Sequence, residues 1–262
     1  MRFVSLFAST LPLLVASSSL SAGGDATAGD GDDSKLQIEL YYESQCPGCR
    51  ETITSSFKEA FHAEGFGKMA TVSWFPFGNA KETNTESPYE FQCQHGPSEC
   101  NYNLIEACIL KKISCPMQQF ELINCIESND EDRNPKPDRY AQVLIGCSML
   151  AGVEKSVIES IHECAEGPEG NALMHDLAVK TASLDPPHKY VPWIVIDGKH
   201  DDKVQDKAMK SLFEYVCNTY TGANKSPQCP DKAMLRGGEN GAEETNHNSM
   251  LCHQDDTVSM MS

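Results

Sequence analysis

Residues 36–57 read "LQIELYYESQCPGCRETITSSF". Leu36, Ile38 and Leu40 alternate with polar neighbours, and Tyr41 and Tyr42 extend the run, which predicts a β-strand. Ser44 to Gly48 turns the chain. From about Gly48 to Ala63 the residues Ile53, Phe57, Ala60 and Phe61 share one helical face. Cys46 and Cys49 therefore stand at a strand-to-helix junction. Free N–H groups and the dipole at a helix start favour an anion, hence a thiolate at Cys46. Cys49, one turn further in, is expected to be the more buried of the two. Pro47 and Gly48 allow the tight turn between them.

Three chemistries are open to such a pair: a redox dithiol, half of a metal site, or an ordinary disulfide. A structural zinc site needs a second pair of ligands. Cys93 and Cys100 have six residues between them, His95 included, and no spacing in the chain matches a common zinc module. No metal and no organic cofactor is expected. The strand before the motif and the helix after it favour the redox pair.

Outward from this stretch, "EGFG" ends the helix with Gly65 as its C-cap, and "MATVSWFPF" forms a second strand. The unit is β-α-β, which implies a parallel pair joined by a right-handed crossover. The region from about 87 to 165 differs. It reads as short helices, "NYNLIEACILKKI", "MQQFELINCIE" and "YAQVLIGCSML", interrupted by a solvated acidic loop, "ESNDEDRNPKPD". A helix from Gly170 to Leu184 follows. Val191 and Pro192 then lead directly into a strand, Trp193 to Ile196, closed by the turn dipeptide Asp197-Gly198. "QDKAMKSLFEYVCNTY" reads as one final helix.

The N-terminus, "MRFVSLFASTLPLLVASSSLSAGG", has a positive start, an apolar stretch and small residues. It reads as a secretory signal peptide over residues 1–22. An acidic flexible lead-in at 23–35 precedes the domain at 36–222, and residues 223–262 read as a disordered tail open to processing. Asn224-Lys225-Ser226 is a glycosylation sequon. Entry into an oxidising compartment turns the cysteines into disulfide candidates, namely Cys93, Cys100, Cys108, Cys115, Cys125, Cys147, Cys164 and Cys217. Spacing does not give their connectivity. They would staple a helical lobe that has few large apolar residues. A net charge of −17 argues against nucleic acid or an anionic membrane as partner. With no second apolar span, membrane insertion is not expected.

Cys93 to Cys108, "CQHGPSECNYNLIEAC", resembles the signature of the gamma-interferon-inducible lysosomal thiol reductase (GILT) family. The fixed positions are Cys93, Gln94, His95, Gly96, Glu99, Cys100, Asn103 and Cys108. The resemblance extends over about Leu36 to Tyr220. It implies an α/β fold, thioredoxin-like with a disulfide-rich helical insertion. It also implies a thiol–disulfide oxidoreductase that reduces protein disulfides, with Cys46 as nucleophile and Cys49 as resolving thiol. Val191 and Pro192 would form the cis-proline loop that binds an extended substrate segment. The implied partners are disulfide-bonded proteins and a small-thiol or dithiol electron donor. The implied location is the secretory pathway, ending in lysosome or endosome or outside the cell. An oxidase or isomerase on the same fold, and a cysteine-rich binding protein with a closed CxxC, are the alternatives. Within the signature, His95 is expected to be structural rather than a proton carrier.

Overall fold

The computed structural model describes residues 35–129, 137–230 and 252–253. The signal peptide, nearly all of the lead-in and most of the tail lie outside the described residues.

Strand β1 (Leu36–Tyr42) forms the middle of a three-stranded sheet. β2 (Ala70–Pro76) runs parallel to it, from Leu36 beside Ala70 to Tyr42 beside Pro76. On the other side β6 (Trp193–Ile196) runs antiparallel, with Ile38 opposite Ile196 and Tyr41 opposite Trp193. One face of β1 is buried along its whole length, and the other is exposed at Gln37, half-buried at Glu39 and buried at Tyr41. Leu36, Ile38, Leu40 and Tyr42 enter the main core, while Tyr41 packs with Trp193 and Val195 on the opposite face.

The crossover from β1 to β2 is helical: α1 (Pro47–Thr52), a π turn (Ile53–Phe57), α2 (Lys58–His62) and the short α3 (Phe66–Met69). The π turn falls in the run Thr52 to Ser56. Here the hydroxyls of Thr52, Thr54 and Ser55 donate to carbonyls four residues back, competing with the helix's own amides for them. A hairpin follows, β3 (Lys81–Asn84) with β4 (Glu90–Gln92), which sequence periodicity did not reveal. Then come α4 (Pro97–Lys112), α5 (Pro116–Asn129), α6 (Pro137–Leu150), α7 (Lys155–Glu166) and α8 (Pro168–Ala182). β5 (Tyr190–Val191) and β6 flank Pro192, and α9 (Asp202–Lys210) and α10 (Leu212–Thr219) complete the domain. A two-residue strand, β7 (Cys252–His253), pairs antiparallel with β5.

Several elements differ from the sequence reading. The final helix is two, because Ser211 is extended and its hydroxyl accepts the amide of Glu214. A capping serine here outweighs the continuous apolar periodicity. The acidic "loop" begins inside α5, where Glu127 is buried, and residues 130–136 lie outside the described residues. Gly65 (φ 80°) precedes the short α3. Asp197 and Gly198 both have positive φ and close a turn with a bridge from Ile196 to Lys199, as expected.

The helical insertion is not an independent lobe. Phe120 of α5 stacks on Phe61 of α2, ring centres 4.3 Å apart, and lies beside Trp74 of β2. Its neighbour Ile123 also joins the sheet's core. A second core, centred on Tyr102, Ile105, Ile109, Leu122, Leu144 and Ile161, binds α4 to α7 together, so the insertion is richer in buried apolar residues than its sequence suggested.

Disulfides join Cys93 to Cys100, Cys108 to Cys164, Cys125 to Cys147 and Cys217 to Cys229. Cys115 departs from expectation: it is a free, exposed thiol, lying in the short connection between α4 and α5. Cys229 was not among the expected partners. It fastens residues that were assigned to the tail, and Ser226 beside it is buried, its hydroxyl donating to Glu64 O. Residues 223–230 are thus held against the domain by this bridge and by Ser226.

Two substitutions test this anchoring. Phe120→Ala should cost about 3–5 kcal/mol through transfer and cavity effects. Cys108→Ala, which opens a bridge of sequence separation 56, should cost about 2–5 kcal/mol. Denaturant unfolding of each variant measures both; an unchanged midpoint for either would overturn its assigned role.

Candidate active site

β1 ends at Tyr42, and Glu43, Ser44 and Gln45 carry the chain to Cys46, which is the N-cap of α1, with Pro47 at the first helical position. The Arg50 amide donates to Cys46 O at 3.0 Å and starts the helix. The Val191–Pro192 bond is cis, and Cys46 Sγ lies 3.7 Å from the Val191 carbonyl oxygen. Three of the sequence-identified residues, Cys46, Val191 and Pro192, therefore meet at one point. Cys49 is a free, fully buried thiol, so the two cysteines of the motif are not bonded to each other. Cys46 is itself buried, at 0% exposure, as is Cys49. The expectation that Cys49 would be the more buried of the two is therefore not met.

The turn is held from behind by α4. The Ser44 amide donates to Asn103 Oδ1 at 2.9 Å and the Ser44 hydroxyl to Glu99 O at 3.3 Å, while the Gln45 amide group donates to Ser98 Oγ. Glu99, Asn103 and Glu106 are spaced i, i+4, i+7, so one helical face carries all three toward the turn. Each is buried. Tyr42 OH donates to Glu106 Oε2 at 2.6 Å. The adjacent face of α4, with Tyr102, Ile105 and Ile109, enters the second core.

This geometry accounts for the signature residue by residue. The Cys93–Cys100 bridge ties the segment after β4 to the first turn of α4. Gln94 Oε1 accepts from Asn79 Nδ2 at 2.7 Å. Gly96 has φ 95°, a conformation that side chains rarely adopt. Glu99 is the third residue of α4. Its carboxylate accepts the His95 amide at 3.3 Å and meets His95 Nδ1 at 2.5 Å, satisfying a donor at the helix start as capping acids do. Asn103 holds Ser44, and Cys108 ties α4 to α7. His95 thus pairs with Glu99, and its Nδ1 is also 3.8 Å from Glu43 Oε2.

Four carboxyl groups are buried near the turn: Glu43, Glu99 and Glu127, whose charges act on Cys49, and Glu106, which pairs with Tyr42. Glu43 was not singled out in the sequence, although it ends the strand beside the motif. Its amide faces Cys49 Sγ at 3.5 Å and its Oε1 accepts the Asn79 amide at 2.6 Å. The chain makes room for it at Gly78, whose φ is 56° and where any Cβ would collide with Glu43 Cγ. Burial, reinforced by the charge of Glu99, pushes the Glu43 carboxyl above the usual carboxylate range, against the lowering effect of the Asn79 amide. Burial likewise pushes the Cys49 thiol up. The Glu43 amide opposes that rise, while the charges of Glu43, Glu127 and Glu99 add to it. Arg50 lies at the rim, its Nε donating to Glu127 O at 2.7 Å. Glu43, His95 and Glu99 bring ligand-type atoms within 4.8 Å of one another, but His95 and Glu99 spend theirs on each other.

A β-α-β unit with a CxxC at the helix start, facing a cis-proline that leads into an antiparallel strand, defines a thioredoxin-like thiol–disulfide oxidoreductase. The family model described as "Gamma interferon inducible lysosomal thiol reductase (GILT)" matches residues 37–150. The chain is 41% identical to the "Gamma-interferon-inducible lysosomal thiol reductase" of Carassius auratus, over 72% of this chain and 70% of that protein. It is 34% identical to the protein of the same name from Mus musculus (74% and 71% covered), and 33% identical to the "Gamma-interferon-responsive lysosomal thiol protein" of Arabidopsis thaliana (78% and 80% covered). Among solved structures, the thiol-disulfide oxidoreductase MdbA of Actinomyces oris aligns at 14% identity with a TM-score of 0.48, covering 74% of this chain and 85% of that one. The chain belongs to the GILT family. Among the described residues no helix is long and apolar enough to cross a membrane.

The raised Glu43 has a consequence for stability. The folded state holds this proton more tightly than the unfolded chain does. Its contribution is therefore complete below the ordinary value of 4.5 and is lost as pH rises through the raised folded value. The melting temperature should fall from acidic toward neutral pH, and Glu43→Gln, which keeps the acceptor for Asn79, should flatten that fall. A variant whose pH profile matched the wild type would show that Glu43 is not the group responsible.

Proposed function

We propose that the protein reduces disulfide bonds of other proteins through Cys46 and Cys49, in acidic endolysosomal compartments reached by the secretory pathway. The observation that carries this reading is the pairing of a cysteine N-cap beside the Val191 carbonyl with a second, buried and free thiol at Cys49. The relatives named as lysosomal thiol reductases, and the signal-like N-terminus, support the compartment.

The mechanism follows from the inequality of the two thiols. Cys46 as a thiolate attacks one sulfur of a substrate disulfide. The substrate bond breaks, a Cys46–substrate mixed disulfide forms, and the released substrate sulfur takes up a proton. Cys49 then attacks Cys46 Sγ. The Cys46–Cys49 bond forms, the second substrate thiolate departs, and it receives the proton that Cys49 gives up. A small thiol or a dithiol protein returns two electrons to the pair. The backbone of β5, which pairs with β7 in this structure, is where an extended substrate segment would add as a strand. No organic cofactor takes part in these steps.

An acidic setting suits the carboxylate cluster. At neutral pH the Glu43 charge adds to the cost of ionising Cys49. Protonation of Glu43, which its raised pKa favours, removes that opposition. Cys46 must stay reactive where an ordinary thiol, of pKa about 8.5, is almost wholly protonated, and its N-cap position supplies a physical cause.

After full reduction and removal of the reductant, Cys49→Ser should accumulate covalent complexes with a disulfide-bonded protein, and added dithiol should dissolve them. Cys46→Ser should capture nothing. Non-reducing electrophoresis reads both outcomes. Trapping by Cys46→Ser would reverse the roles, and trapping by neither would remove the redox reading of the motif.

A further inference from the structure

Beside the dithiol, the side chains of Glu43, His95 and Glu99 converge, with their ligand-type atoms all within 4.8 Å of one another. We propose that these three side chains bind a divalent transition-metal ion, with Zn²⁺ the best fit, and that the ion fastens the CxxC turn to the start of α4. Such a site is independent of the redox reading of Cys46.

The two carboxyl groups are held ready from behind. Neither Glu43 nor Glu99 has exposed surface. In each, one oxygen is held by a backbone amide: Glu43 Oε1 by Asn79 at 2.6 Å, and Glu99 Oε1 by His95 at 3.3 Å. The other oxygen of each lies toward His95 Nδ1, at 3.8 Å for Glu43 Oε2 and 2.5 Å for Glu99 Oε2. Glu43 Oε2 makes no hydrogen bond. Burying a polar atom in that state is costly, and buried charges are ordinarily paired or bound to a metal. Its position is fixed by the fold, because a Cβ at Gly78 would collide with Glu43 Cγ.

The separations suit a metal ion. Tetrahedral bonds of about 2.0–2.2 Å place two ligand atoms roughly 3.4 Å apart. The observed 3.8 and 2.5 Å fall on either side of that value, so a shift of His95 by under about 1 Å equalises them. In that arrangement the ion takes the place of the proton between His95 and Glu99, as metals do with titratable ligands. One imidazole nitrogen and two carboxylate oxygens match the donors of zinc and its first-row neighbours, whereas Ca²⁺ and Mg²⁺ favour oxygen alone. Three protein ligands leave a fourth position for water. The His95 side chain, 18% exposed, marks the way in. The charge agrees as well, since a divalent cation compensates two carboxylates buried around one imidazole.

The ion joins three stretches of chain. Glu43 follows β1, His95 follows β4, and Glu99 lies in the first turn of α4. The Glu43 amide faces Cys49 Sγ at 3.5 Å, so the ion adjoins the dithiol, yet neither sulfur of the CxxC is among its ligands. Glu43 is remote in sequence from the other two, and no motif spacing announces the set.

The test uses the full chain carrying Cys49→Ser, which removes the dithiol as a competing ligand pair, after stripping with a chelator. Equilibrium dialysis against Zn²⁺ should show one tightly bound ion per chain. Adding Glu43→Gln or His95→Gln should weaken that binding about tenfold or more, at least the loss seen for residues that merely support a metal ligand. Co²⁺ in place of Zn²⁺ should give a visible d–d spectrum without a sulfur-to-metal charge-transfer band. Zn²⁺ should also raise the melting temperature, and should do so less in either variant. Glu43→Gln keeps the acceptor for Asn79, and His95→Gln lies at the partly exposed rim, so if one variant fails to fold the other decides. Absence of binding, affinity unchanged by the substitutions, or a sulfur charge-transfer band would each overturn the site. None of these readouts measures disulfide reduction, so their failure would leave the proposed function standing.

Discussion

The amide of Ser44 donates to the side chain of Asn103, and the arrangement of the site depends on that hydrogen bond. Ser44 sits between the central strand and the CxxC, where the backbone has left the sheet and not yet entered the helix. Its polar groups are buried there, and a buried amide without a partner costs about 1–3 kcal/mol. The partner comes from α4, which is remote in sequence. Asn103 can reach because Cys93–Cys100 and Gly96 fix where α4 begins, and Cys108–Cys164 fixes it against α7. The disulfides of the insertion thus act on the reaction centre through the placement of one helix.

The same helix delivers charge. Glu99 and Glu106 lie inside the protein where isolated carboxylates would be expensive. Each has a donor: His95 for Glu99 and Tyr42 for Glu106. Glu43 is held by Asn79 and accommodated by Gly78. The result is an acidic lining around a buried thiol. A lining of that sign, together with burial, opposes thiolate formation at Cys49. In the proposed reaction this suits a resolving thiol, while Cys46 stands at a helix start, where an anion is favoured.

Much of the fold was legible because strand alternation is local. Leu36 to Tyr42, the CxxC helix and Trp193 to Ile196 could be read from periodicity and turn residues alone. The GILT signature marked α4 but not its purpose, since Glu99, Asn103 and Glu106 look like ordinary surface polar residues until a second structure covers them. The spacing i, i+4, i+7 among apolar neighbours was the available sign. Glu43 and Glu127 gave less notice. One ends a strand and is covered by Gly78, Asn79 and the start of α4, and the other opens what looked like an acidic loop but belongs to α5, which packs on the core through Phe120. The break at Ser211 and the pairing of Cys229 were missed for a similar reason: a single cap or bridge overrides a regional pattern.

The four structural disulfides share one property. In each, at least one of the two cysteines is buried: Cys93, Cys108 and Cys164, Cys147, and Cys217. A thiolate reaches a sulfur only along an open line of approach. Each of these bridges therefore offers an incoming thiolate at most one accessible sulfur, and the packing of the domain keeps the other covered. Their chemical durability is a property of that packing, and loosening the insertion would open the frame to the thiols around it.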